Sequence, residues 1–150
     1  MKRLRMYVDT SVFGGCYDPG FAQESNALLA MMRRGEIILL TSDLLASELL
    51  DAPTAVKAIF DALPEEGIER LWMGPESEFL RDRYMEANVV GPSAMDDAHH
   101  VALATVGRAD MIVSWNFKHL VHFEKIRGFN AVNLREGYPT IEVHSPKEVV

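Results

Sequence analysis

Asp9 ends a short apolar stretch, Met6-Tyr7-Val8, that reads as a buried strand, and the hydroxyls of Thr10 and Ser11 follow it. Open α/β sheets bind their ligands in the crevice beyond the strand ends, so an aspartate there is placed for chemistry; it is equally placed to cap the next helix. Glu48 is the second acid that stands out. At about 100° per residue, Asp43, Ser47 and Asp51 share one polar side of a helix over Ser42–Asp51, whereas Glu48 falls among Leu44, Leu45, Leu49 and Ala52. A carboxylate on that side must be paired, metal-bound or protonated. A salt bridge to an Arg, or escape to solvent at the helix end, would serve as well as a cation.

The segment after Pro92 poses the same question twice. Ser93 can cap a helix over Ala94–Val106, and Asp96 three positions later can complete a capping box that also suits the helix dipole. On that wheel Ala94, Ala98, Val101, Ala102 and Thr105 face the sheet, Asp96 points away, and Asp97 lies on the inward rim. The pair therefore divides: Asp96 caps and Asp97 looks inward, unless Asp97 is only a second helix-start acid. His99 and His100 are adjacent and project differently, which excludes the one-turn spacing of two zinc-binding histidines. His100 stands one turn from Asp97; it either orients that carboxylate as a donor or covers the helix shoulder. His99 reads as packing or surface.

Asn116 follows a strand over Met111–Ser114, as Asp9 follows the first strand, and is also a good turn residue. Lys118, His119, His122, Lys125 and Arg127 then form the main late basic cluster. On the side of the acids this cluster would grip phosphates; elsewhere it is a solvated face.

The elements that must position these residues belong to a chain of ordinary globular make-up. Its 150 residues fit one domain, with 48% hydrophobic and 25% charged residues and no low-complexity tract. The apolar runs are too short to span a bilayer and no signal-type region follows the basic start, so a cytoplasmic protein with no membrane association is expected. Cys16 has no disulfide or metal-ligating cysteine partner and reads as a small core residue. A net charge of −7 argues against holding nucleic acid by general attraction. It leaves nucleic acid open as a substrate, because acids converging on a divalent cation invert the local field.

Helical and strand patterns alternate along the chain, with no internal repeat and no linker. Helices are expected over 22–34 (closed by Gly35), 42–51, 53–63, 76–87 and 94–106, and a helix or turn over 117–126. Strands are expected at 6–8, 37–40, 68–72, 111–114 and 131–134, with an edge strand at 141–143. The alternation predicts a single-domain, three-layer α/β/α sandwich with a mostly parallel central sheet of about five strands. Leu28, Leu29, Met31 and Met32 give the helix over 22–34 more apolar width than one sheet face covers, and the 76–87 helix adds a stripe, so a homodimer is expected.

The order of motifs resembles the PIN-domain family: a hydrophobic V-D-T-S near the start, S-x-x-x-x-x-E in the forties, D-x-x-H-V-A in the nineties and S-W-N-F-K-H after the next strand. The resemblance covers nearly the whole chain, and its size suits the small VapC-like toxins of toxin–antitoxin systems. It implies a Mg2+- or Mn2+-dependent ribonuclease, RNA as substrate and an antitoxin protein as partner. The family's acids carry over onto Asp9, Glu48 and Asp97 as catalytic and metal-binding residues, with Asn116 where many members have a fourth acid. Thr10, Ser11, Asn116, Lys118 and His119 then line the substrate side, and His100 and Asp96 stand behind the ligands. Such an ion, held by a few carboxylates, activates water for attack on phosphorus and offsets the developing charge. A haloacid-dehalogenase-type phosphatase would need an Asp where Ser11 stands, and a response-regulator receiver would need one in Leu40-Thr41-Ser42. The other reading is a PIN-like scaffold of weak catalysis that binds RNA or protein.

Overall fold

The computed structural model describes residues 2–150. Five strands form one sheet in which every pairing is parallel: β1 (Leu4–Val8), β2 (Ile37–Thr41), β3 (Ile68–Arg70), β4 (Met111–Val113) and β5 (Glu142–His144). Their order is β3-β2-β1-β4-β5. The chain thus builds outward from β1 on one side and then on the other. The switch point of the sheet lies between β1 and β4, where such sheets open their ligand crevice. Register fixes what meets there. Val8 pairs with Val113, so the residues after them, Asp9 and Ser114, emerge side by side at the carboxyl edge.

Helices α1 (Thr10–Gly15), α2 (Ala22–Arg33), α3 (Asp43–Asp51), α4 (Thr54–Asp61), α5 (Pro75–Glu86), α6 (Met95–Val106), α7 (Phe123–Arg135) and α8 (Pro146–Val149) cover the sheet in an α/β/α sandwich. One group joins α1 with α2 and α4, and α2 with α8; the other joins α5 with α6 and α7, and α3 touches both α4 and α6. Met6, Tyr7, Val8, Leu39, Leu40, Ile112 and Val113 are buried in the middle layer. Near-continuous burial is the mark of a parallel sheet covered on both faces. Gly35 adopts a left-handed φ of 71° after α2 and lets the amides of Gly35 and Glu36 return to the Met32 and Met31 carbonyls.

Two expectations are overturned, the strand at 131–134 and the Ser93/Asp96 cap. Residues 131–134 are the last turns of α7, not a strand. Phe129 and Val132 are buried at helical spacing while Leu134 is exposed, and Asn133 accepts a hydrogen bond from the Tyr84 hydroxyl across to α5. Of the helix or turn expected over 117–126, residues 117–120 form the turn and helix begins at Phe123. Helix α6 is entered through a 3₁₀ turn over Pro92–Ala94 and carries no side-chain cap, so the Ser93/Asp96 box does not form; Asp96 is simply exposed. Leu28, Leu29 and Met32 are buried within the single chain, each full leucine burial being worth roughly 1.5–3 kcal/mol. The apolar width of α2 therefore calls for no second copy. Among the described residues, no helix is long and apolar enough to cross a membrane.

Candidate metal centre

Asp9 serves both of the roles open to it. It caps α1, with Oδ1 accepting from the Thr10 amide at 2.9 Å, and it sits at the carboxyl end of the central strand, only 7% exposed. Its Oδ2 accepts from the hydroxyls of Ser11 (2.9 Å) and Ser114 (2.8 Å). Ser11 and Ser114 also knit the two strand ends together: Ser11 Oγ accepts from the Trp115 amide at 3.0 Å, and Ser114 Oγ from the Asn116 amide at 2.9 Å.

Glu48 projects inward from α3, half-buried, as its place on the wheel requires. No arginine meets it. Its Oε1 accepts from Thr10 Oγ1 at 3.0 Å and from His100 Nε2 at 2.9 Å. Among the described residues, Oε2 makes no protein hydrogen bond. Burial pushes this carboxyl up, but the hydrogen bond and charge of His100 and the bond from Thr10 outweigh it and hold Glu48 below its ordinary value. For His100 burial works downward, yet the Glu48 bond and the charges of Asp9, Glu48 and Asp97 leave the imidazole above its usual value.

His100 covers no helix shoulder. It is 1% exposed and points at Glu48 rather than at Asp97. Its Nδ1 lies 2.6 Å from the Tyr7 hydroxyl, which lies 2.8 Å from Ser42 Oγ. Ser42 in turn caps α3 by accepting from the Leu45 amide at 3.2 Å. Burial raises the Tyr7 phenol, so it remains a neutral hydroxyl. His99 packs inside the molecule, with Ser77 Oγ 3.4 Å from its Nε2.

Asp97 is half-buried on α6, and burial together with the charge of Asp9 raises its carboxyl. His119, His100 and the Asn116 amide act in the opposite sense. Asn116 Oδ1 also accepts from the His119 amide at 2.9 Å, so Asn116 closes the turn after β4. His119 is half-buried at the mouth, and its Nδ1 is buried with no partner among the described residues. Lys118 is exposed, and so are Arg127 and His122 farther along.

Asp9, Glu48 and His100 each offer a ligand atom such that all three lie within 4.8 Å of one another. Asp97 stands outside that triad, next to Asp9 electrostatically. Carboxylate oxygens crowded to this distance suit a hard divalent cation, because mutual repulsion is otherwise offset only by the surrounding donors. Two participants carry no mark of a site residue in the sequence, Ser114 and Tyr7. Ser114 reads as the last residue of a strand, where only a hydroxyl closing an apolar run is unusual. Tyr7 reads as core.

No protein-family profile matches this sequence, and no curated protein matches it. Solved structures do match. A chain of the VapBC2 complex from Rickettsia felis, crystallised bound to a DNA fragment from their promoter, aligns over 95% of this chain and 98% of its own, with TM-score 0.59 and 10% identity. A chain of DNA-bound VapBC from Salmonella typhimurium aligns over the same shares with TM-score 0.53 and 15% identity. The chain therefore has a three-layer, PIN-like α/β/α fold. At these identities the likeness is one of architecture.

Proposed function

We propose that this chain is a divalent-metal-dependent ribonuclease hydrolysing RNA phosphodiester bonds, and the toxin of a type II toxin–antitoxin pair. The observation that carries the reading is the convergence of ligand atoms of Asp9, Glu48 and His100 to within 4.8 Å of one another at the carboxyl edge of the sheet, with the half-buried Asp97 feeling the charge of Asp9. Asp9 and Glu48, with Asp97 beside them, would hold Mg2+ or Mn2+, which supplies Lewis acidity at the phosphate and offsets its developing charge. The chain's own residues do the rest. Ser11 and Ser114 fix Asp9, and Thr10 and His100 fix Glu48 through Oε1, which leaves Oε2 without a protein hydrogen bond among the described residues. Lys118 and His119, which follow β4, would meet an RNA phosphate at the carboxyl edge, and the Asn116 amide would steady the charge of Asp97.

The antitoxin partner is supported by the two complexes that share the fold, and a homodimer would rest on the stripe of α5, where Phe79 is exposed. A chain that sediments as a monomer at high micromolar concentration would remove the dimer. One observation favours a PIN-like binding module of weak catalysis: Asn116 spends its side-chain oxygen on the His119 amide and brings no charge. Incubating purified protein with single-stranded RNA, with and without Mn2+, separates the two. Mn2+-dependent cleavage that Asp9→Asn abolishes supports the nuclease; RNA binding with no cleavage in either condition supports the module.

A further inference from the structure

We propose that His100 is a positioning residue, backed by Tyr7 and Ser42, that fixes Glu48 so that its free oxygen faces the cation, and that His100 is not itself a ligand. This rests on the metal-dependent reading above. Its basis is the hydrogen-bond inventory of one buried column. Ser42 Oγ, Tyr7 Oη, His100 and Glu48 Oε1 follow one another at 2.8, 2.6 and 2.9 Å. Ser42, Tyr7 and His100 are each at most 1% exposed, so water does not compete for any of these atoms.

Donor bookkeeping then assigns the ring. An ionised carboxylate only accepts, so Nε2 must carry the proton and donate to Glu48. With a neutral ring, Nδ1 accepts from the Tyr7 hydroxyl, whose oxygen accepts from Ser42. With a charged ring, Nδ1 donates to Tyr7, which turns its hydroxyl to Ser42. Nε2–H points at Glu48 in both states. Neither nitrogen keeps a lone pair for an ion, because one faces Tyr7 and the other is protonated toward Glu48. An apolar side chain would fill this space without the cost of burying three polar groups, and a buried polar column is tolerated only when every member is satisfied. What this column ends on is one oxygen of a site carboxylate. Thr10 grips that same oxygen, which leaves Oε2 as the part of Glu48 without a protein partner.

The test is calorimetric titration of the full chain with Mn2+ in the absence of RNA. The amide nitrogen of His100→Gln reaches about as far as imidazole Nε2 and can donate to Glu48; that of His100→Asn stops short, and His100→Leu has none. Binding in His100→Gln should stay close to wild type, whereas His100→Asn and His100→Leu should weaken it by about 10–100-fold, the usual range for losing an outer partner of a ligand. Tyr7→Phe, which frees the ring to choose its tautomer, should weaken binding to a lesser degree and change its pH profile. Circular dichroism checks folding. Should His100→Leu fail to fold, the comparison of Gln with Asn decides by itself.

His100→Gln binding as poorly as His100→Asn would show that the imidazole ligates the ion. Wild-type affinity in every folded variant would show a purely structural column, and a wild-type chain that takes up no Mn2+ overturns the proposal outright. A wild type that binds Mn2+ with the expected variant pattern but cleaves no RNA overturns the nuclease reading alone.

Discussion

Ser114 Oγ lies 2.8 Å from Asp9 Oδ2, across 105 positions of sequence. The bond exists because β4 lies beside β1 in parallel with Val8 opposite Val113, which brings two strand ends to one point. Ser114→Ala removes a donor to a charged acceptor and also strands the Asn116 amide, which uses Ser114 Oγ. Hydrogen bonds to charged groups contribute roughly 1.5–3 kcal/mol, so urea unfolding of this variant should show a loss of about that size. Unchanged stability with unchanged Mn2+ affinity would mean that Ser114 does not support Asp9.

Asp97→Asn should lower metal-dependent RNA cleavage by more than the roughly 10–100-fold expected for an outer partner, while Asp96→Asn, at an exposed position, keeps most of it. Equal loss in both folded variants would refute the division of the pair.

Metal-free stability gives Asp97 a second, independent signature. Its folded carboxyl is raised by burial and by Asp9. Such a group contributes stability that is fully present below its unfolded value and is lost as pH rises through the folded one. With the ion chelated, Asp97→Asn should therefore outlast wild type in denaturant at pH 7, and the gap should close near pH 3. A gap independent of pH would assign the effect elsewhere.

His144 ties β5 to α8. Its Nε2 lies 2.9 Å from Glu142 Oε1 and its Nδ1 3.0 Å from Glu148 Oε2, while Glu148 also accepts from the Ser145 amide in a capping box. Partial burial lowers the imidazole, but the bonds to Glu148 and Glu142 raise it overall, and the bond to His144 lowers Glu148. The His144 contribution is complete below its unfolded value and fades as pH rises through the raised one; that of Glu148 is complete above its unfolded value and fades in acid. The melting-temperature deficit of His144→Ala should thus peak at mildly acidic pH, between the two unfolded values, and shrink by pH 9. A constant deficit from pH 5 to 9 would exclude the ion pairs as its source.

Gly15 holds the aromatic wall beneath the site. A Cβ there would meet Ser25 Oγ at 2.6 Å and Trp115 Nε1 at 2.7 Å, where those two atoms share a 2.8 Å hydrogen bond. Gly15→Ala should cost about 1–3 kcal/mol and alter Trp115 emission. Gly14→Ala, which meets nothing within 4 Å, should instead stabilise the helix by about 0.5–1 kcal/mol. Equal melting temperatures for the two variants would show that the Trp115–Ser25 contact yields freely.

The sequence by itself determined the features that depend on neighbours along the chain. A short apolar run placed the strand that stops at Asp9, and period-3.6 patterns placed the helix faces of Glu48 and Asp97 and the α/β alternation, because these are local properties of the chain. A wheel gives the direction of a side chain around its own axis and nothing of the element it meets. So the wheel offers His100 either Asp97, its neighbour one turn away, or the helix shoulder, when its partner is Glu48 on another helix, 52 positions distant. The Ser93/Asp96 cap failed because the 3₁₀ entry at Pro92 changed the local geometry it needed. Residues 131–134 looked like strand until packing of Phe129 and Val132 and the Tyr84–Asn133 bond fixed them as helix. Only strand order and register decided that Ser114 would reach Asp9 and that a tyrosine in the central strand would stand behind a histidine, because those contacts arise from closing long loops that leave no periodic trace in the chain.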